Sequence, residues 1–475
     1  MQNNSLAQIQ TALKNGSTSC ENIIRHYLGK IKSTEHLNAY VEVYAEKALE
    51  KARSLDIRIK ENPNALGKLF GCVVSIKDLI VYKNHKVSAG SRILDGFESQ
   101  FSATAVELLL KEDAIIIGRT NCDEFGMGSA NTNSYFGPVK NASDTTRISG
   151  GSSGGAAVSV QADTCLVALG TDTGGSVRQP ASMCGVMGYK PSYGMVSRHG
   201  LVAYASSFDQ LGLLAHHASD LDIVMSVVSE TDEYDATMFQ KDIYSSQNEL
   251  KKELKDYKLA YLGEAIDSDA LDVDIKKSIT SYLESLKTSG AQVSKVSFPL
   301  LEYLVPTYYI LTTAEASSNL SRYDGVRYGH RSAEANSLEE MYVNSRSEGF
   351  GDEVKKRIML GSFVLSEAYY DAYFTKAQQI RTMIKQQIQD IFSQYDFIIL
   401  PTAPSVAWPI DQKPTDPLEI YLSDIYTVLA NLAGIPAISI PSGKNSEGLS
   451  FGVQLMANVK EDKKLIQFVQ NYSLA

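Results

Sequence analysis

The sequence predicts an α/β fold, with helices covering both faces of a large, mainly parallel or mixed sheet. From Leu69 onward, short apolar runs of strand length alternate with longer amphipathic stretches, the pattern that β–α–β units write into a chain. No internal repeat, low-complexity tract or proline-rich linker divides the 475 residues. One domain spanning 1–475 is therefore expected, with a mostly helical segment over 1–68.

That segment reads as helix in three places: Ser5 to Lys14, Cys20 to Ile31 and Val41 to Ile59. Ser19 caps the second, because its hydroxyl can accept from an orphan N–H of the first turn. Leu69 to Ile76 is an apolar, strand-like stretch and is expected as a buried strand. A helix from Ala103 to Lys111 and a strand from Ala114 to Gly118 follow. Ser153 to Gln161 reads as a helix of small residues, and Cys165 to Leu169 as the next strand. Strands Lys258 to Leu262 and Val293 to Phe298 flank a helix from Asp272 to Leu286. Asp352 to Tyr395 reads mostly as long helix. Strands Phe397 to Leu400, Ala437 to Ile440 and Ser450 to Met456 precede a closing helix from Glu461.

Composition excludes several classes. At 44% hydrophobic and 21% charged residues, the chain has the balance of a globular protein with a sizeable core. Its apolar runs are far too short to cross a bilayer, and Met1-Gln2-Asn3-Asn4 lacks the basic head and apolar core of a signal peptide. Five scattered cysteines without a Cys-x-x-Cys pair suit a reducing, cytoplasmic compartment and supply no zinc site. A net charge of −10 is unsuited to holding nucleic acid alone, so any such role requires a partner. The seven histidines form no metal motif, and His216-His217 suit a surface or helix-cap position.

Chemistry concentrates at three places. Gly150-Gly151-Ser152-Ser153-Gly154-Gly155 and Thr173-Gly174-Gly175-Ser176 are two Gly-Ser clusters, and Lys77 ends the first apolar strand. Together they offer a hydroxyl nucleophile, a second hydroxyl and an amine base, the parts of acyl transfer without histidine. A lysine ending a strand is commonly solvated. Buried beside two serines, its ammonium would be pushed toward neutrality and could take a serine proton. The first cluster can also be read as a flexible linker, but Ala156-Ala157-Val158 run straight on as helix. It has P-loop glycine spacing, yet Ala156-Ala157 fill the positions that need Lys and Ser/Thr, so that reading fails. Gly150-x-Ser152-x-Gly154 also matches the nucleophile elbow of Ser-His hydrolases. The polar stretch before it is not the strand an elbow requires, which leaves that reading second. In the other cluster, glycines before Ser176 let successive N–H groups converge as in an oxyanion hole.

The lysine, GGSSGG (150–155) and GTDTGGSVRQPA (170–181) resemble the amidase signature family of Ser–cis-Ser–Lys hydrolases, over essentially the whole chain. NCDEFGMGSANTNSYFGP (121–138), EVKKRIMLGSF (353–363) and LANLAGIPAISIP (429–441) resemble the branch that serves as A subunits of tRNA-dependent amidotransferases. The resemblance implies that Ser176 is the nucleophile, Ser152 the bridging serine after a cis peptide bond, and Lys77 the base. It places the oxyanion hole at the N–H groups of Thr173, Gly174, Gly175 and Ser176. For glutamine it implies Arg357 at the α-carboxylate and Asp424 at the α-ammonium. Gly128, Ser129 and one of Tyr308 and Tyr309 should line the same pocket. On the residues alone, Arg357 could equally belong to a basic helix face with Lys355 and Lys356, and Asp424 to a surface helix.

The resemblance further implies B and C partner subunits. ATP and Mg2+ would be used in a partner, which would also carry the misacylated tRNA, with no metal or cofactor in this chain. A stand-alone amidase of the same fold is the rival reading. The chain departs from the family at Asn141-Ala142-Ser143-Asp144 and at Ser149, where the family commonly has prolines, and a less rigid loop is expected there.

Overall fold

A computed structural model describes residues 4–239, 243–246, 253–412 and 422–472. The described residues contain one sheet of eleven strands, ordered β1-β3-β2-β4-β6-β5-β10-β11-β9-β7-β8. These are β1 (Tyr40–Val43), β2 (Val73–Lys77), β3 (Ile115–Thr120), β4 (Val167–Thr171), β5 (Met187–Lys190), β6 (Leu211–Ala215), β7 (Lys258–Leu262), β8 (Gln292–Val296), β9 (Phe397–Pro401), β10 (Ala437–Lys444) and β11 (Ser450–Met456). Strands β3, β2 and β4 run parallel, as do β8, β7 and β9, while the middle of the sheet is antiparallel. The sheet is mixed.

Both faces are covered, as expected, and the pleat shows why. Phe397 and Ile399 of β9 enter one apolar cluster, which the N-terminal helices also join. Ile398 and Leu400, pointing to the other side, enter a second with the Leu304–Asn319 and Lys376–Phe392 helices. A two-residue period on a strand buried on both sides produces this division.

Most expected elements are present, with shifts of a few residues. Ser5 closes a capping box with Gln8, and Ser19 accepts the Asn22 N–H. The third helix begins later than expected. Tyr40–Val43 pairs antiparallel with β3 and the helix runs Ala45–Glu61, because Tyr-Val-Glu-Val favours extended backbone. The expected long helix is broken into Asp352–Val364, a π-turn at Asp371–Thr375 and Lys376–Phe392.

Strands β5 and β6 and the Leu304–Asn319 helix went unforeseen. The strands are short and carry no alternation, and the helix is buried around most of its girth, so it shows no apolar stripe. His217 is the N-cap residue of the Ala218–Val228 helix. All five cysteines are free and buried. Among the described residues, no helix is long and apolar enough to cross a membrane.

Candidate active site

Lys77 is the last residue of β2, between β3 and β4, and is fully buried. Its Nζ donates to Ser152 Oγ at 2.7 Å, Thr171 Oγ1 at 2.8 Å and Ser153 Oγ at 2.9 Å. Ser153 Oγ donates in turn to Thr171 O, so two of the partners fix the amine and the third is Ser152 itself. All three are neutral. Burial without a paired carboxylate lowers the Lys77 pKa to about 8, against the pull of Asp123, Asp172 and Asp209 nearby.

Ser152 follows an irregular loop and precedes the Gly154–Gln161 helix. No strand leads into it, as an elbow would need. The Gly151–Ser152 peptide bond is cis. The Asp123 N–H donates to Ser152 O at 3.1 Å, and the Asp123 carboxylate accepts from Asn131 and Asn133 N–H. A Cβ on Gly151 would lie 2.2 Å from Asp123 Oδ2, so only glycine lets the loop rest on this carboxylate. Where prolines are missing, side chains pin the loop. Asn141 Nδ2 donates to Met183 O, while Gln161 bridges Asn141 Oδ1 and the Ala142 N–H.

Ser176 lies in the turn between β4 and the Arg178–Cys184 helix and is partly exposed among buried neighbours. The Ser153 N–H donates to Ser176 O at 3.0 Å, joining the two Gly-Ser clusters. Beneath the turn, Asp172 accepts from Arg178 Nε at 3.0 Å and Nη2 at 2.9 Å, a bidentate and fully buried pair. The arginine holds the Asp172 carboxyl at about 2 against the effect of its burial. Arg178 also reaches Thr427 O, Gln454 Oε1 and Asn431 Oδ1. Gln179 ties the surroundings together: its Oε1 accepts from Gly151 N–H and its Nε2 donates to Ser129 O.

One expected oxyanion donor is occupied. The Gly175 N–H donates to Asp172 Oδ1 at 2.9 Å, because Gly175 takes φ +130 to pack against Thr427. The N–H groups of Thr173, Gly174 and Ser176 have no acceptor among the described residues, so these three are available to an oxyanion.

The expected head-group residues gather beside this turn. Arg357 is 5% exposed, unlike Lys356 on the same helix. Its Nη1 donates to Tyr204 Oη at 2.9 Å, its Nε donates to Glu353 Oε1 at 2.9 Å, and its Cζ lies 5.2 Å from the Tyr309 ring centroid. Asp424 is also buried and accepts from Ser129 Oγ at 2.5 Å. Burial pushes its carboxyl up to about 7, opposed by that hydrogen bond and by the charge of Arg357. Both tyrosines are buried: Tyr308 packs on Gly174, where a Cβ would lie 2.5 Å from the ring, and Tyr309 stacks under Arg357. Gly128 sits against the Asp123 carboxylate.

Six residues of this neighbourhood escaped the sequence reading: Asp123, Ser153, Thr171, Asp172, Arg178 and Thr427. Asp172 and Arg178 flank Ser176 within one motif, which was the available signal. Thr427 is remote in sequence and gave none. The histidines engage elsewhere, His26 with Asp163, His85 with Lys83 O, His199 with Thr104 and His330 with Glu348. Among the described residues no His, Cys, Asp and Glu cluster is arranged to hold a metal ion.

The Amidase family profile matches residues 22–466. The chain is similar to the A subunit of glutamyl-tRNA(Gln) amidotransferase from Chlorobaculum parvum, 45% identical over 98% of this chain and 96% of the relative. It is 46% identical to the protein of that name from Chlorobium phaeobacteroides, over 97% of each. Among solved structures, the A subunit of glutamyl-tRNA(Gln) amidotransferase from Thermotoga maritima is 39% identical, with TM-score 0.76, over 94% of this chain and 90% of that one. A solved amidase is 26% identical, with TM-score 0.83, over 98% of both. With a family match running nearly end to end over a Ser-Ser-Lys cluster, the chain belongs to the amidase family.

Proposed function

We propose that this chain is the glutaminase subunit of a glutamyl-tRNA(Gln) amidotransferase and works as one domain. It hydrolyses glutamine to glutamate and hands the ammonia to a partner subunit. The observation that carries this is the pairing of a buried Arg357 and Asp424 beside the serine turn, in a chain 45% identical to an amidotransferase A subunit along nearly its whole length. A buried guanidinium and a buried carboxyl close enough for the Arg357 charge to act on Asp424 suit the zwitterionic head of free glutamine, which simple amides lack.

Neutral Lys77 accepts the Ser152 proton as Ser152 accepts that of Ser176, and Ser176 Oγ bonds to the side-chain carbonyl carbon of glutamine. The N–H groups of Thr173, Gly174 and Ser176 receive the oxyanion. Collapse breaks the C–N bond, with Lys77 returning a proton through Ser152 to the leaving ammonia. Water then cleaves the glutamyl ester by the same proton route, releasing glutamate. B and C partner subunits, the misacylated tRNA, and ATP with Mg2+ belong to the rest of the assembly.

Reconstitution with partner subunits tests this. Ser176→Ala should abolish glutamine-dependent amidation of Glu-tRNA(Gln), and ammonium chloride should restore it. Wild-type glutamine turnover in that variant would remove Ser176 from its role. A wild-type chain that hydrolyses varied amides alone, and adds nothing to amidation with partners, would be a stand-alone amidase.

A further inference from the structure

Glu124 is 3% exposed and takes no part in the proton route above. Its carboxylate faces the start of the Asp352–Val364 helix, whose N-cap is Gly351. The Gly351 N–H reaches both oxygens, at 3.1 Å and 2.9 Å. Ser91 Oγ donates to Glu124 Oε1 and lies 3.2 Å from Gly349 O. A Cβ on Gly351 would come within 2.4 Å of Glu124 Oε2, so the glycine is what permits the approach. The helix has no side-chain cap of its own, and a carboxylate at this end also meets the positive pole of the helix.

The residue before Glu124 points the other way. Asp123 donates its N–H to Ser152 O and carries the Asn131 and Asn133 N–H groups on its carboxylate. Consecutive residues thus hold the loop of Ser152 on one side and the helix of Arg357 on the other. We propose that Glu124 is a positioning residue for glutamine recognition, fixing the start of the Asp352–Val364 helix and so the place of the Arg357 guanidinium. Its role rests on Arg357 meeting the α-carboxylate, as proposed above. Arg357 lies six residues beyond Gly351, roughly 9 Å along the helix axis, so a tilt at the anchored end displaces the guanidinium.

The test uses the reconstituted assembly and steady-state glutaminase kinetics. Glu124→Ala should raise KM for glutamine about tenfold, the scale of one lost charge-assisted hydrogen bond. Both kcat and the ammonium-driven reaction should stay within about twofold, since the triad is untouched. Glu124→Gln keeps an acceptor for Gly351 and should raise KM only about threefold; it carries the test alone if the alanine variant does not fold. Arg357→Ala combined with either should be no worse than Arg357→Ala by itself, because the two act through one contact.

A fall in kcat at unchanged KM, wild-type kinetics in both variants, or losses that multiply in the double variant would overturn the assignment. If Arg357→Ala raises KM and neither Glu124 variant does, Glu124 alone is misassigned. If Arg357→Ala has normal KM, the head-group reading falls and this inference with it.

Discussion

Replacing Lys77 by arginine keeps the positive charge and most of the length but removes the ability to lose a proton. The consequence can be worked from the burial of Lys77, which brings its pKa from 10.5 to about 8. At pH 7 a group with pKa 8 is neutral in about one molecule in eleven, against about one in three thousand at pKa 10.5. Burial therefore raises the fraction of usable base roughly 300-fold. The active form is the deprotonated one, so kcat/KM for glutamine should climb with pH and level off above about 8.

In its proposed place at the α-ammonium, Asp424, with its carboxyl at about 7, must be ionised, so the acid limb should steepen below neutrality. Ammonia release followed from pH 6 to 9.5 gives the profile, and Lys77→Arg should fall at least about a thousandfold across it. A wild-type profile that is flat from pH 6.5 to 9, or an arginine variant within tenfold of wild type, would refute neutral lysine as the base.

Two further outcomes follow from the pocket and the turn. Arg357→Ala should cost roughly 1.5–3 kcal/mol in kcat/KM for glutamine while leaving ammonium competent in the assembly; loss of the ammonium reaction would assign Arg357 to folding or docking. Gly175→Ala places a Cβ 2.1 Å from Thr427 Oγ1 at a φ of +130, so urea unfolding should show destabilisation of at least about 2 kcal/mol. Unchanged stability would mean that the turn is loosely held.

How much of this was legible in the sequence depends on how local each feature is. Lys77, Ser152 and Ser176 lie in short motifs of hydroxyl, amine and glycine residues, and β2 and β4 are mostly apolar runs. Val41 to Val43 look like the first residues of the helix they lead into, and the pairing partner that makes Tyr40–Val43 a strand lies far along the chain at β3. The Leu304–Asn319 helix hid for a different reason, being apolar on too many sides to show a stripe. Gly175 was read as an oxyanion donor because a Gly-Gly-Ser turn suggests converging N–H groups. Only three dimensions show that Asp172 already holds one of them. Arg357 illustrates the converse. Its neighbours Lys355 and Lys356 suggest a solvated face, yet the ring of Tyr309 and the hydroxyl of Tyr204 draw it inside.

The groups that hold Arg178 under the serine turn also bear on when this hydrolase can begin to work. Thr427, Asn431 and Gln454 accept from Arg178, and β10, which pairs with β5, follows nine other described strands in chain order. A nascent chain ending before Thr427 already contains Lys77, Ser152 and Ser176, but has none of those three acceptors. It also lacks the Thr427 hydroxyl that donates to Gly174 O. In the order of synthesis, Ser176 is made early and the groups that hold Arg178 beneath its turn arrive late.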